Sequence, residues 1–428
     1  MALTLLLLPA VRPEPAVTQT PRPGSAIFIH PDGASVAHWG AARLLTVGPD
    51  GRMAWDRLER IGVYRGHMTN SLGASSHGGA TAHAYGVKVP YDSYGMWGRA
   101  SLTARSGYRG SILEEAKAAG LATVLINSGH IGEPGTGVFA ASAQSRADVE
   151  AITDRILASG TDIILVGGEA LMLPAGRRGR HGYGGIRRDG ADLVERAREL
   201  GYRIVYTRGE LMALPDTTSR VLGLFAAGQT FFDHPEEVLE GRGWPLYVAT
   251  APTVAEMTEK ALRMLATRDT RFLMVVEEEG ADNFANANNA RGTLTALARA
   301  DSAIAVALDF AGRNPATLVL VAADSDAGGL EVYPVRDTAR FDLPLPTTTP
   351  VGSPLDGRRG TATPPFLAEP DTGGHRLAFG IAWAGTSDFL GGIVARAHGR
   401  NARLLPASVD NTDIYRMLYA TLFGRWPD

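Results

Sequence analysis

Short apolar runs alternate with longer amphipathic ones along most of the chain. Seven runs read as strands: AIFIH (26–30), ATVLIN (122–127), DIILVG (162–167), RIVYT (203–207), RFLMVVE (271–277), TLVLVAAD (317–324) and RLAFGIAWA (376–384). Most are apolar without alternation, the pattern of parallel strands covered on both faces. Between them lie segments of helical period: 110–120, 145–160, 189–201, 253–267, 290–312 and 411–424. Several end on Gly, as helix C-termini do. The alternation predicts an α/β fold, doubly wound, with a mostly parallel central sheet and helices on both faces. Residues 331–375 break the pattern. They are rich in Pro, Thr and Gly and read as an insertion over the sheet's rim, within one domain spanning 25–428. No internal repeat interrupts this organisation.

Composition narrows the function classes. With 428 residues, 45% of them apolar, the chain can bury a large core. A formal net charge of -3 offers no basic surface for nucleic acid. No run approaches the roughly 18 apolar residues of a membrane span. The absence of cysteine excludes disulfides, thiolate metal ligands and a Cys nucleophile, and is silent about compartment. The start, MALTLLLLPAVRPEPAVTQTPRPGSA, has a short apolar run and then a Pro-rich stretch. Residues 1–24 read as a signal-like or disordered segment, although no Lys or Arg precedes the run and no clean small-residue cleavage site follows. The reading is periplasmic or secreted, with the cytoplasm as the alternative.

In open α/β sheets, ligands bind beyond the carboxyl ends of the strands. Asp32 follows the first strand, Glu277 closes the 271–277 strand with Asp282 five residues on, Asp324 closes the 317–324 strand, and Asp371 precedes the last. Five carboxylates gathered at one rim repel one another unless cations intervene. Oxygen ligands suit hard ions such as Mg²⁺, Ca²⁺ or Mn²⁺. Alone, each of these residues also serves as an ordinary cap or turn residue. The stretch LGASSHGGATAHAYGVK (72–88) poses a related question, since its small residues and paired serines suit either a tight turn or a nucleophile.

These segments resemble the alkaline phosphatase family, in order, from about residue 24 to residue 425. HPDGAS (30–35) resembles the family's first metal-binding G-D-G-M-G turn and retains Asp32. SSHGGATAHAYGVK (75–88) is similar to D-S-A-x-x-A-T-A-x-x-T-G-x-K, with Ser76 at the nucleophile and Ser75 at the family's Asp. VEEEGADNFANANNA (276–290) is similar to V-E-G-G-R-I-D-x-x-x-H-A-N-D-A, AADSDAGG (322–329) to T-A-D-H-x-x-G-G, and DTGGH (371–375) to the H-T-G motif before the last strand.

The resemblance implies a metal-dependent phosphoric ester hydrolase that acts on small phosphomonoesters through a phosphoseryl intermediate at Ser76. Arg146 in AQSR matches the phosphate-clamping arginine, and a homodimer is the family expectation. The metal ligands it implies are Asp32, Glu277, Asp282 and Asp324, with Asn286, Ser325 and Asp371 at the three histidine positions. The third-metal Thr falls on Gly135 when counted from Arg146, with Thr136 one residue off, and Glu133 occupies a neighbouring family Asp/His position. Replacing every imidazole by an oxygen donor favours Mg²⁺, with Ca²⁺ or Mn²⁺ next and Zn²⁺ less suited than in the family. His30, His67, His77 and His83 lie near Asp32 and Ser76 in sequence, and His375 near Asp371, as further candidates for a ligand or general acid. The alternative is a degenerate homologue that binds phosphate or phosphorylated ligands without turnover.

Overall fold

The computed structural model describes residues 20–337 and 341–427. Most of the signal-like segment, residues 1–19, lies outside them.

The central sheet is built from β1 (Ser25–Pro31), β2 (Arg60–Arg65), β3 (Ala122–His130), β4 (Ile163–Gly167), β5 (Arg203–Val205), β6 (Val221–Leu224), β7 (Phe272–Glu278), β8 (Thr317–Val321), β9 (Val394–Gly399) and β10 (Ser408–Asp410). Their spatial order is β10-β2-β9-β8-β1-β7-β3-β4-β6-β5. Among these strands only β9 runs antiparallel to its neighbours. β7 is buried along its whole length and β1 along all but its first residue. That fits strands covered on both faces, as their unbroken apolar runs predict.

The helices that bear on the site are α1 (Val36–Thr46), α2 (Ser76–Tyr85), α3 (Val254–Ala266), α4 (Gly280–Asn286), α5 (Ala290–Arg313) and α6 (Asn411–Phe423). One group packs α5 against α1, α3 and α4, and the other packs α6 against α2. Both groups rest on β1 and β8 through α5 and α6. α3 starts with a capping box, Thr253 with Glu256, and carries an apolar face that includes Met257, Ala261 and Leu265.

Two expectations change. The run 376–384 is not the last strand of the central sheet. Ala378–Trp383 pairs antiparallel with Leu330–Val335 in a separate five-stranded sheet that also contains Leu355–Gly357, Gly360–Thr361 and Phe366–Leu367. The segment read as an irregular insertion is therefore a folded unit closed by its own strand. The place beside β8 belongs to β9, VARAHG, whose alternating burial and polar Arg396 and His398 hide it from a search for apolar runs.

Candidate active site

The four adjacent strands β8, β1, β7 and β3 all point their carboxyl ends at one rim. Asp32 follows β1 directly, Glu277 lies near the end of β7 with Glu279 just beyond, Asp324 follows β8, and Glu133 follows β3. All five are buried. Carboxylate oxygens of Asp32, Glu277 and Glu279 lie within 4.8 Å of one another. His30, aligned with Glu277 across the β1–β7 ladder, holds Nε2 3.1 Å from Asp32 Oδ1 and 3.7 Å from Asp324 Oδ1.

α4 adds a second carboxylate layer. Asp282 and Asn286 sit one turn apart and so share a face. Asn286 Nδ2 donates to Asp282 at 3.0 Å and to Asp388 Oδ1 at 2.8 Å, while its Oδ1 accepts from the Gly328 N–H at 3.1 Å. In this orientation Asn286 bridges two acids, and its oxygen is already engaged. Asp388 is carried in by a two-residue antiparallel ladder, Asp326–Ala327 against Asp388–Phe389.

Asp371 is not part of this group. It lies on an exposed loop, where Oδ1 accepts from the N–H groups of Gly373 and His375 at 2.9 and 2.8 Å and Oδ2 lies 3.3 Å from His375 Nδ1. The strand that follows it belongs to the small sheet, and the acid that reaches the rim ahead of β9 is Asp388. His375 stays with Asp371, away from the rim.

Thr136 lies beside the cluster, one amide away from Glu277. Its Oγ1 accepts from Asn127 Nδ2 at 2.9 Å, and the same Nδ2 donates to Glu277 Oε2. Gly135 is packed so closely on Glu277 that a Cβ there would overlap the carboxylate. Ser325 donates from Oγ to Asp324 Oδ1 at 3.1 Å.

Ser76 is the first residue of α2, with Ser75 as its cap. Ser75 Oγ accepts from the Gly78 N–H at 3.1 Å and donates to the Tyr91 carbonyl, which fixes the turn before Ser76. Gly79 abuts Asp324 side-chain atoms, so the first turn of α2 lies against that carboxylate. The small residues of 75–84 permit this approach, and the free N–H groups of the helix start favour an anion. Arg146 faces the cluster from Glu133, with Nη2 3.3 Å from Oε2, and about half of its side chain is open to solvent. Glu133 also meets His130 Nε2 at 3.0 Å and Gln229 Nε2 at 2.7 Å.

The electrostatics are one-sided. Burial, with Asp324 beside it, raises Asp32 to about 6 against the pull of His30. Burial raises Glu277 to about 8, helped by Asp32 and Glu133. Burial and neighbouring acids push Glu279 and Asp282 well above the ordinary carboxyl range. Asp32 Oδ2, Glu277 Oε1, Glu279 Oε2 and Asp324 Oδ2 are buried with no hydrogen-bond partner in the protein. Such acids demand cations, and the oxygen-rich donor set fits divalent ones. Of the loop histidines, His83 bonds the Tyr64 hydroxyl at 2.6 Å and His77 packs edge-on to Tyr91. Burial, reinforced by the charge of Arg146, holds His77 at about 4. For His67, the backbone carbonyl accepts from Lys88 Nζ at 2.7 Å.

The alkaline phosphatase family profile matches residues 25–343, most of the chain. The chain belongs to the alkaline phosphatase family. Membership supports phosphoric ester hydrolysis and the use of divalent metals. Alkaline phosphatase H of Pseudomonas aeruginosa is 31% identical over 219 residues, a match spanning 48% of this chain and 44% of that protein, so less than half of that relative's length is matched. Streptomycin-6-phosphate phosphatase of Streptomyces griseus is 28% identical over 403 residues, covering 84% of this chain and 86% of that one. The alkaline phosphatase of the Antarctic bacterium TAB5, solved as a His-to-Asp mutant with Mg bound in its M3 site, superposes with a TM-score of 0.70 at 19% identity. That match covers 96% of this chain and 100% of that one. No helix among the described residues is long and apolar enough to cross a membrane.

Two members of the cluster escaped the sequence reading. Glu279 stands where the resembled motif has glycine, and three consecutive glutamates closing an apolar strand were the signal for it. Asp388 had no comparable signal, since a two-residue ladder beyond a long insertion brings it in.

Proposed function

We propose that the chain is a metal-dependent phosphoric ester hydrolase acting on small phosphomonoesters, with Ser76 as nucleophile and an oxygen-rich metal site. One observation carries the reading. Asp32, Glu133, Glu277, Glu279, Asp282, Asp324 and Asp388 gather beside a helix that begins at Ser76, with Arg146 as the guanidinium turned toward them.

Asp32, Glu277, Glu279, Asp282 and Asp324 would hold divalent cations, which would supply the positive charge that the cluster lacks and would favour the serine alkoxide and the departing oxygen. The protein's own groups do the rest. Ser76 Oγ attacks phosphorus in line with the ester oxygen, which departs as the alcohol. Arg146, partly open to solvent, grips non-bridging phosphoryl oxygens. The α2 N–H groups favour the dianion. Water then cleaves the phosphoserine and releases inorganic phosphate. The acidic Glu133, and the Mg carried by the TAB5 mutant in which an acid replaces a histidine, support Mg²⁺ as the preferred ion, with Ca²⁺ or Mn²⁺ as substitutes and Zn²⁺ as the poorer fit. A homodimer and a periplasmic or secreted location belong to the same reading and are tested by light scattering and cell fractionation.

The decisive experiment strips the protein with chelator, restores Mg²⁺, Ca²⁺, Mn²⁺ or Zn²⁺ separately, and assays a chromogenic phosphomonoester. Turnover returns best with Mg²⁺, and Ser76→Ala removes about a thousandfold or more of it. Silence with every metal in a folded protein would move the reading to a phosphate-binding homologue. Stoichiometric zinc in the purified protein would overturn the metal preference.

A further inference from the structure

A cavity of about 720 Å³ opens beside Glu133, between the loops that follow β4 and β6. Its walls are mostly apolar, with Leu171, Tyr183, Ile186, Phe232 and Val248 among them. Tyr183 and Ile186 are 67% and 57% exposed, although both are large apolar groups turned into a concave surface. The volume falls in the range of small-ligand sites.

The cavity is built rather than incidental. The Gly-rich strap that carries Tyr183 is pinned at several points. Glu169 accepts from the N–H groups of Arg180 and His181 at 2.6 and 2.9 Å. The His181 ring bonds the Leu224 carbonyl at 2.7 Å. Ile186 N–H donates to the Ala170 carbonyl at 3.0 Å. On the opposite wall, Phe232 packs against Trp244 with ring centroids 5.4 Å apart.

The cavity also borders the phosphate site through Glu133. Two lining residues, His130 and Gln229, bond Glu133, which pairs with Arg146. A third, Asp233, meets Asn283 Nδ2 at 3.3 Å, next to Asp282 on α4. Glu133 thus touches both the guanidinium that grips the phosphoryl group and the cavity wall, so Arg146 stands at the cavity's edge.

The geometry points to this cavity as the leaving-group pocket, so that the substrates are phosphomonoesters of planar aromatic alcohols rather than of small polyols. The inference rests on the hydrolase reading of Ser76 and Arg146. The ring lies against Tyr183 and Ile186, covers their exposed faces and departs as the protonated alcohol once the phosphoryl group is on Ser76.

The test compares 1-naphthyl phosphate, phenyl phosphate and glycerol phosphate in the metal-loaded protein and in Tyr183→Ala and Tyr183→Phe. Both variants change an exposed side chain outside the catalytic group. KM falls from phenyl to naphthyl in the wild type. Tyr183→Ala raises the naphthyl KM about tenfold, leaves glycerol phosphate within twofold, and Tyr183→Phe restores the naphthyl value. Equal changes for all three esters, or none, would overturn the pocket. Calorimetric binding of a naphthylmethyl phosphonate, with and without Tyr183, reads the pocket independently of turnover. Loss of affinity in Tyr183→Ala without any wild-type turnover would keep the pocket and remove the hydrolase reading. Turnover without a Tyr183 effect would do the reverse.

Discussion

Two clusters of buried charge differ in one respect. Beyond β4, Arg187 is buried and matched: Nη2 lies 2.9 Å from Asp154 and 2.5 Å from Asp189, and Nη1 donates to Thr153 at 2.7 Å. Beyond β8, β1, β7 and β3 the acids outnumber their cations, and four of their oxygens have no partner in the protein. The matched cluster is complete without a ligand and ties the strap wall to the helix Val149–Ala158. The unmatched one stores an electrostatic demand that something from solvent must meet. Burial of charge therefore does not distinguish a site from a strut, whereas imbalance does.

The sharpest way to break the comparison is at the strut. Arg187→Ala is expected to cost about 2 to 3 kcal/mol of folding stability, because it removes a fully buried side chain and its bonds to the Thr153 hydroxyl and the Leu171 carbonyl. Denaturant melts of the metal-loaded protein would read it, and a loss below about 1 kcal/mol would contradict the assignment. Next comes Asp388→Ala, expected to weaken divalent metal binding about 10- to 100-fold with little loss of secondary structure. Calorimetric metal titration measures it, and unchanged affinity would remove Asp388 from the site.

A smaller effect separates the clusters by pH. Asp32 and Glu277 have folded values raised to about 6 and about 8, so the metal-free fold holds protons more tightly than the unfolded chain. Their stabilisation is complete below about pH 4 and is lost as pH rises through about 6 to about 8. In chelator, the melting temperature should fall across that window. Added Mg²⁺ should flatten the slope, and Glu279→Gln should make it shallower. A melting temperature that rises with pH in chelator would contradict the imbalance. Smallest of all is Asp371→Ala, expected to leave metal affinity and turnover within twofold, since that carboxylate serves its own exposed loop.

Much of this was legible because parallel strands announce themselves twice, by unbroken apolar runs and by the acids that follow them. Asp32, Glu277, Asp282 and Asp324 emerge from that logic and come together in the structure, near Ser76 and Arg146. Illegible positions share a different physics. β9 alternates because one face is only partly covered, and it carries Arg396 and His398. Asp388 depends on a pairing of two residues per strand, too short for any periodicity. Asp371 was misplaced because the apolar run after it serves another sheet, a tertiary choice that a local pattern does not record. Thr136 lies one position from the counted ligand, and the count could not foresee that Asn127 would take its hydroxyl.

Gly135 has a consequence for substitution, since any β-carbon here would overlap the Glu277 carboxylate. A larger residue at 135 therefore requires the Glu277 carboxylate to swing away, and the Asn127 amide that bonds it to give way as well. Close packing thus couples positions 127 and 135 to position 277, which stands far from them in the sequence, so that a change at one is felt at all three.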